Sequence, residues 1–157
     1  MSKKCAELLA KKRLKITFIE SATAGYLSHR LSLTPYSGDI LIGGLVCYDL
    51  CVKTDTLHIS PKLIEKYSAE SAQVTQELVK KSLNLFKSDV YVACTGLLKR
   101  GGSETPEKPV GTFFYCIYYQ GTYHDFVCVC QGKPSDKLRT IYKNISKSII
   151  SVIKASR

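Results

Sequence analysis

The chain has 157 residues, enough for one domain with a proper core, and its 45% hydrophobic and 23% charged content is ordinary for a globular protein. No apolar run reaches membrane-spanning length, and the start, MSKKCAELLAKKRLK, lacks the apolar stretch and small-residue cleavage site of a secretory signal, so a cytoplasmic protein is expected. A net charge of +10 favours anionic ligands, but the lysines are spread along helices as solvated faces are, and the densest group, Lys11 to Arg13 with Lys15, has no interleaved aromatics, which argues against a dedicated nucleic-acid surface.

In chain order, Lys3 to Lys12 has helical spacing, with Cys5, Leu8 and Leu9 on one face. Ile16, Phe18 and Ile19 predict a short buried strand. It stops at Glu20-Ser21-Ala22-Thr23-Ala24-Gly25, small and polar residues that lead into a helix from Tyr26 to Leu33. A strand that turns directly into a helix exposes backbone N–H groups and the positive end of a helix dipole. A hydroxyl there has two readings: Ser21 or Thr23 caps the helix, or one of them attacks a carbonyl beside a ready-made oxyanion site.

Thr34 to Asp39 reads as a loop. Ile40 to Tyr48 reads as a second strand, whose Gly43-Gly44 points to a bulge or a close backbone approach. Polar residues follow from Asp49 to Thr56 and include Lys53. Ser60-Pro61 opens a short helix to Tyr67, and Ser71 a longer one to about Lys87. Asp89 to Thr95 is a third strand. Leu97 to Val110, rich in Gly, Pro and charge, is long for a connection and therefore a functional candidate. Thr112 to Tyr119 and Thr122 to Cys130 form a hairpin about Gln120-Gly121, and a last helix runs from Ser135 to Ile153 with an apolar stripe from Leu138 to Val152. Strands flanked by helices, plus one hairpin, predict a single α/β domain over 1–157, a three-layer sandwich with a mixed sheet.

Seven scattered cysteines without a C-x-x-C pair argue for reduced packing residues rather than a metal or disulfide framework. Cys128 and Cys130 share a face if their segment is a strand, which leaves a metal or disulfide conceivable there. None of the three histidines fits as a base: His29 falls in a helix, His58 before a helix start, and His124 in the outer hairpin strand.

Three separated segments, in the right order, resemble one family. ESATAG at Glu20 to Gly25 is similar to that family's ESCTGG, and GGLVCYDLCVK at Gly43 to Lys53 to its GGVVAYSNEAK. Thr95-Gly96, resuming with GGSETPEKPVGT from Gly101 to Thr112, is similar to its TGIAGPGGSETPEKPVGT. The family is the CinA C-terminal domain, the nicotinamide-nucleotide amidases. The resemblance spans nearly the whole chain and implies the stand-alone form, without the amino-terminal molybdopterin-binding-like domain of longer relatives.

It further implies hydrolysis of the carboxamide of nicotinamide mononucleotide to nicotinate mononucleotide and ammonia, without metal or cofactor, through an acyl-enzyme. By the resemblance, Ser21 is the nucleophile, and Lys53 and Tyr48 the base pair. Thr23 and Gly25 then lie in the turn, Thr95, Gly96, Gly101 and Gly102 in the substrate loop, and Ser37 and Arg139 at further binding positions. Chemistry agrees, because a serine hydroxyl needs a base and a desolvated lysine can serve. On this reading the Gly101-Gly102 loop and the helix start hold the phosphate, with Arg139 or a lysine as counter-charge. The partner is a small nucleotide rather than nucleic acid or membrane. A homo-oligomer is expected from the family and from the apolar stripe of the last helix.

Several positions depart from the pattern. Ala22 and Ala24 replace Cys and Gly, Gly38 replaces a serine, Leu50 stands where Asn is usual, and Leu98-Lys99-Arg100 replaces Ala-Gly-Pro. These changes bear on the pocket wall and keep open an alternative, a nucleotide-binding module without efficient turnover.

Overall fold

The computed structural model describes residues 2–156. Helix α1 (Lys3–Lys11), strand β1 (Ile16–Glu20), helices α2 (Tyr26–Ser32) and α3 (Ser37–Ile40) and strand β2 (Leu41–Val46) come first. A π-helical turn at Val52–Thr56 and helices α4 (Pro61–Tyr67) and α5 (Ala72–Ser82) lead to β3 (Val90–Gly96), the hairpin β4 (Thr112–Tyr119) and β5 (Thr122–Val129), and α6 (Pro134–Ala155).

The five strands lie in the order β2-β1-β3-β4-β5. The first three are parallel to one another and the hairpin runs antiparallel. The central strands β1 and β3 are nearly continuous apolar runs because both their faces are covered, whereas the edge strands β2 and β5 alternate in exposure. One core packs α1, α2, α3 and α6 on one face, around Phe18, Val92 and Ile145. A second, smaller core packs α4, α5 and the π-helical turn on the other, around Ile19, Leu78 and Tyr91. The fold is thus an α/β sandwich with helices on both sides of a mixed sheet.

Gly43-Gly44 serves both purposes read from the sequence. The β1–β2 register slips between Ile16 and Thr17, so that Leu41 and Gly43 pair with consecutive residues. At Gly44 a Cβ would lie 2.7 Å from Ser28 Oγ and 3.0 Å from the Phe18 carbonyl oxygen, so α2 and β1 approach only because no side chain is there. Gln120 (φ 49°) and Gly121 (φ 80°) make the left-handed two-residue turn that suits the twist of the hairpin.

Three expectations are corrected. Residues 37–39, read as loop, and Ile40, read as the start of the second strand, form the short helix α3, because Ile40 is buried against the core and draws one turn onto it. Helix α5 ends at Ser82 rather than near Lys87; Leu85 beyond it is 54% exposed, and the Ser82 carbonyl turns the chain instead by accepting from Leu85 and Phe86 N–H. The stripe of α6 is consumed inside the chain: Ile141, Ile145, Ile149 and Val152 are buried in the first core, so it offers no subunit interface. The homo-oligomer expectation then rests on the family resemblance alone.

Candidate active site

The carboxyl ends of the three parallel strands open on one crevice, the usual place for a ligand in an α/β sheet. Ser21 follows β1, Tyr48 follows β2, and Gly96 ends β3 and leads into the long segment. Together with Glu70 and Lys99 to Gly102 they line a cavity of about 220 Å³.

Ser21 is held from both sides. Its N–H donates to the Cys94 carbonyl at 3.0 Å, and the chain then turns through Ala24 (φ 46°) and Gly25 (φ 91°) into α2. The preceding residue, Glu20, is only 1% exposed, and its carboxylate accepts from Leu27 N–H (3.0 Å), Ser28 N–H (2.8 Å) and Ser28 Oγ (2.7 Å). A negative charge therefore already sits on the first turn of α2, so the helix start is not open to a phosphate, contrary to the sequence expectation. The amide groups that remain are nearer the hydroxyl: among the described residues no protein acceptor takes the Ala22 or Thr23 N–H.

Lys53 comes from the π-helical turn, where one wide turn aims the side chain inward past Cys47. It is 2% exposed. Its Nζ lies 3.0 Å from Ser21 Oγ, 2.6 Å from the Cys47 carbonyl oxygen and 3.4 Å from that of Tyr48. Burial lowers the pKa of this amine below the ordinary lysine value, with Cys47, Glu70 and Asp49 pulling the other way. A neutral amine has two N–H groups and one lone pair. As an ammonium Lys53 donates to Ser21 Oγ; in the neutral form, with the two carbonyls taking the N–H groups, the lone pair can face the serine hydroxyl.

Tyr48 reaches Lys53 through its main-chain carbonyl; its side chain is 59% exposed at the cavity mouth and makes no hydrogen bond among the described residues. Thr23 is buried, its hydroxyl without a protein partner, and Gly25 caps α2. Thr95 is also buried, but its hydroxyl is bonded to Thr75 Oγ1 at 2.8 Å, tying β3 to α5 rather than facing a ligand. Gly96 is in the wall, where a Cβ would strike the Phe113 ring.

Gly101 and Gly102 line the cavity as expected, but their N–H groups are taken. Glu104 accepts from both, one carboxylate oxygen each, at 2.8 Å, and these bonds hold its pKa below the usual carboxylate value. The cations actually in the wall are Lys99 and Arg100. Arg139 is elsewhere, exposed and paired with Asp136 on its own helix. Ser37 lies at the far end of the sheet: it precedes Leu41, which pairs with Ile16 at the start of β1, whereas Ser21 follows its end, roughly 13 Å or more away.

Sequence reasoning missed the groups that hold the site in shape. Besides Glu20 and Glu104, Lys108 Nζ donates to Ser68 Oγ (2.7 Å), Ser103 Oγ (2.8 Å) and the Glu70 carbonyl (3.0 Å), while Ser103 Oγ donates to the Glu70 carboxylate. This clamp ties the long segment to the α4–α5 connection. At its base, Lys137 Nζ donates to the Leu98 carbonyl, and Gly111 (φ 100°) passes so close to the Cys130 carbonyl that a Cβ would lie 2.2 Å from its oxygen. A carboxylate ending an otherwise apolar strand was the one available signal, for Glu20, since a buried charge must have partners.

The model of the CinA C-terminal domain matches residues 1–150. A CinA-like protein of Pseudothermotoga lettingae is 38% identical over 112 residues, which is 71% of this chain and 27% of that protein. One from Mycobacterium marinum is 41% identical over 112 residues, 71% of this chain and 26% of that protein, so the chain spans about a quarter of these curated relatives. Among solved structures, the competence damage-inducible protein A (ComA) of Klebsiella pneumoniae superposes with a TM-score of 0.90 at 20% identity, covering 97% of this chain and 94% of that one. A CinA superfamily protein of Escherichia coli gives 0.88 at 23%, covering 96% and 87%. At those identities the structures speak for the fold, and the family assignment stands on the sequence match along nearly the whole length: the chain belongs to the CinA C-terminal domain family.

Proposed function

We propose that the protein is an amidohydrolase that converts nicotinamide mononucleotide to nicotinate mononucleotide and ammonia. The observation that carries this reading is the 3.0 Å contact between Ser21 Oγ, which lines the cavity, and a buried Lys53 Nζ held by two carbonyls. Neutral Lys53 takes the Ser21 proton as Oγ adds to the carboxamide carbon. The developing oxyanion is met by the Ala22 and Thr23 N–H groups, a contribution typically worth about 3 kcal/mol. The ammonium of Lys53 then returns its proton to the departing nitrogen, which leaves as ammonia. Water, deprotonated by the same amine, cleaves the acyl-serine and restores the hydroxyl. Lys99 and Arg100 supply counter-charge for the phosphate.

The test is ammonia release from nicotinamide mononucleotide by the purified protein and its Ser21→Ala variant. Loss of at least about 10³-fold in rate, with an unchanged circular dichroism spectrum, is expected. Undiminished activity in the variant rules out the nucleophile. Calorimetric binding without ammonia from the wild type leaves the nucleotide-binding module instead.

A further inference from the structure

The cavity carries one carboxylate that the reaction above does not use. Glu70 lies on the α4–α5 connection, half-buried, and lines the same space as Ser21. Its carboxylate is fixed by Ser103 Oγ and its carbonyl by Lys108 Nζ, so it is a positioned group rather than a solvated one. It is close enough to Lys53 for its charge to bear on the amine. The other charged side chains in the wall, Lys99 and Arg100, have the opposite sign. The wall that Ser21 lines therefore carries one fixed negative group, on the α4–α5 connection, and positive groups on the long segment.

That layout matches a substrate with a cation beside the scissile amide and an anion further off. A nicotinamide nucleotide in its oxidised form is such a molecule: the ring nitrogen is positively charged and the phosphate negatively charged. Resting on the amidase reading, we infer that Glu70 is a specificity residue that recognises the positive charge of the pyridinium ring and so selects the oxidised nucleotide over its dihydropyridine form. The two forms share ribose, phosphate and carboxamide and differ by one hydride on the ring, which removes its positive charge, so their comparison reads this effect. One partly exposed opposite-charge contact gives about fivefold discrimination.

The experiment is calorimetric binding of oxidised and reduced nicotinamide mononucleotide to the full chain, its Glu70→Gln variant and its Ser103→Ala variant, with ammonia release followed in parallel. Gln keeps an acceptor for Ser103 and removes only the charge. The expected result is about fivefold preference for the oxidised form in the wild type, lost in Glu70→Gln and kept in Ser103→Ala even if both affinities fall there. Equal weakening of both forms in Glu70→Gln shows that Glu70 only braces the segment and overturns the inference. No wild-type preference overturns it too, while ammonia release leaves the amidase reading standing. Binding of neither form, with no ammonia, removes both.

Discussion

At the scale of single residues, the site turns on the cost of burying an amine. An unfolded lysine keeps its ordinary pKa, whereas burial lowers that of Lys53, so between the two values the unfolded chain binds more protons than the folded one. Stability attributable to Lys53 therefore rises with pH from the folded-state pKa toward the ordinary value. Urea unfolding of the wild type and Lys53→Met across neutral to alkaline pH should show the wild type gaining relative to the variant as pH rises. The comparison cancels the opposite pull of the buried thiols, such as Cys5 and Cys116, whose pKa values burial lifts (to about 12 for Cys5), so that folding favours their protonated forms. A reverse trend would mean that the pocket stabilises the ammonium. The same variant should lose about 10²-fold or more in ammonia release.

Ser21 and Lys53 were legible as a pair only through the motif resemblance. Local sequence offers Ser21 as a cap and Lys53 as one lysine in a polar run, and nothing in that run announces a π-helical turn. Ser37 and Arg139, carried over by the same resemblance, show the limit of that route: their side of the sheet, or their neighbour on the helix, is fixed by topology and by Asp136.

At the scale of elements, the strands and helices follow from period and punctuation, and the long segment after β3 does not. Central strands such as β3 show as continuous apolar runs, and Gly43-Gly44 signals a bulge or a close approach in the sequence alone, where the fold has both. The 97–111 segment has no period. Its order comes from side chains distant in sequence, Lys108 to the α4–α5 connection and Lys137 to Leu98. Removing the clamp with Lys108→Met should leave the global unfolding transition nearly in place while amide hydrogen exchange in residues 101–110 quickens and KM rises several-fold. Unchanged exchange there would show that the internal Glu104 bonds suffice to order the segment.

For the molecule as a whole, the +10 charge acts at a distance rather than through a dedicated surface. The expected signature is kinetic: kcat/KM for the anionic nucleotide falls several-fold as salt is raised from about 0.05 to 0.5 M, with kcat nearly constant, because screening weakens capture and not the buried reacting pair. A parallel fall in kcat would instead place salt-sensitive charge inside the reaction step. Among the described residues no helix is long and apolar enough to cross a membrane, and none of the acidic, thiol or imidazole groups cluster as a metal site. Cys128 Sγ and Cys130 Sγ lie 3.9 Å apart as free thiols in contact.

The clamp and the sheet divide the labour unequally. The Ser21 main chain and the Lys53 amine are both moored to main-chain carbonyls, whereas most of the wall that meets a ligand belongs to one surface segment fastened by a few side chains. Mutation can rewrite Leu98-Lys99-Arg100 without touching the reacting atoms, so a lineage can re-address the same chemistry to another amide by editing a single strap.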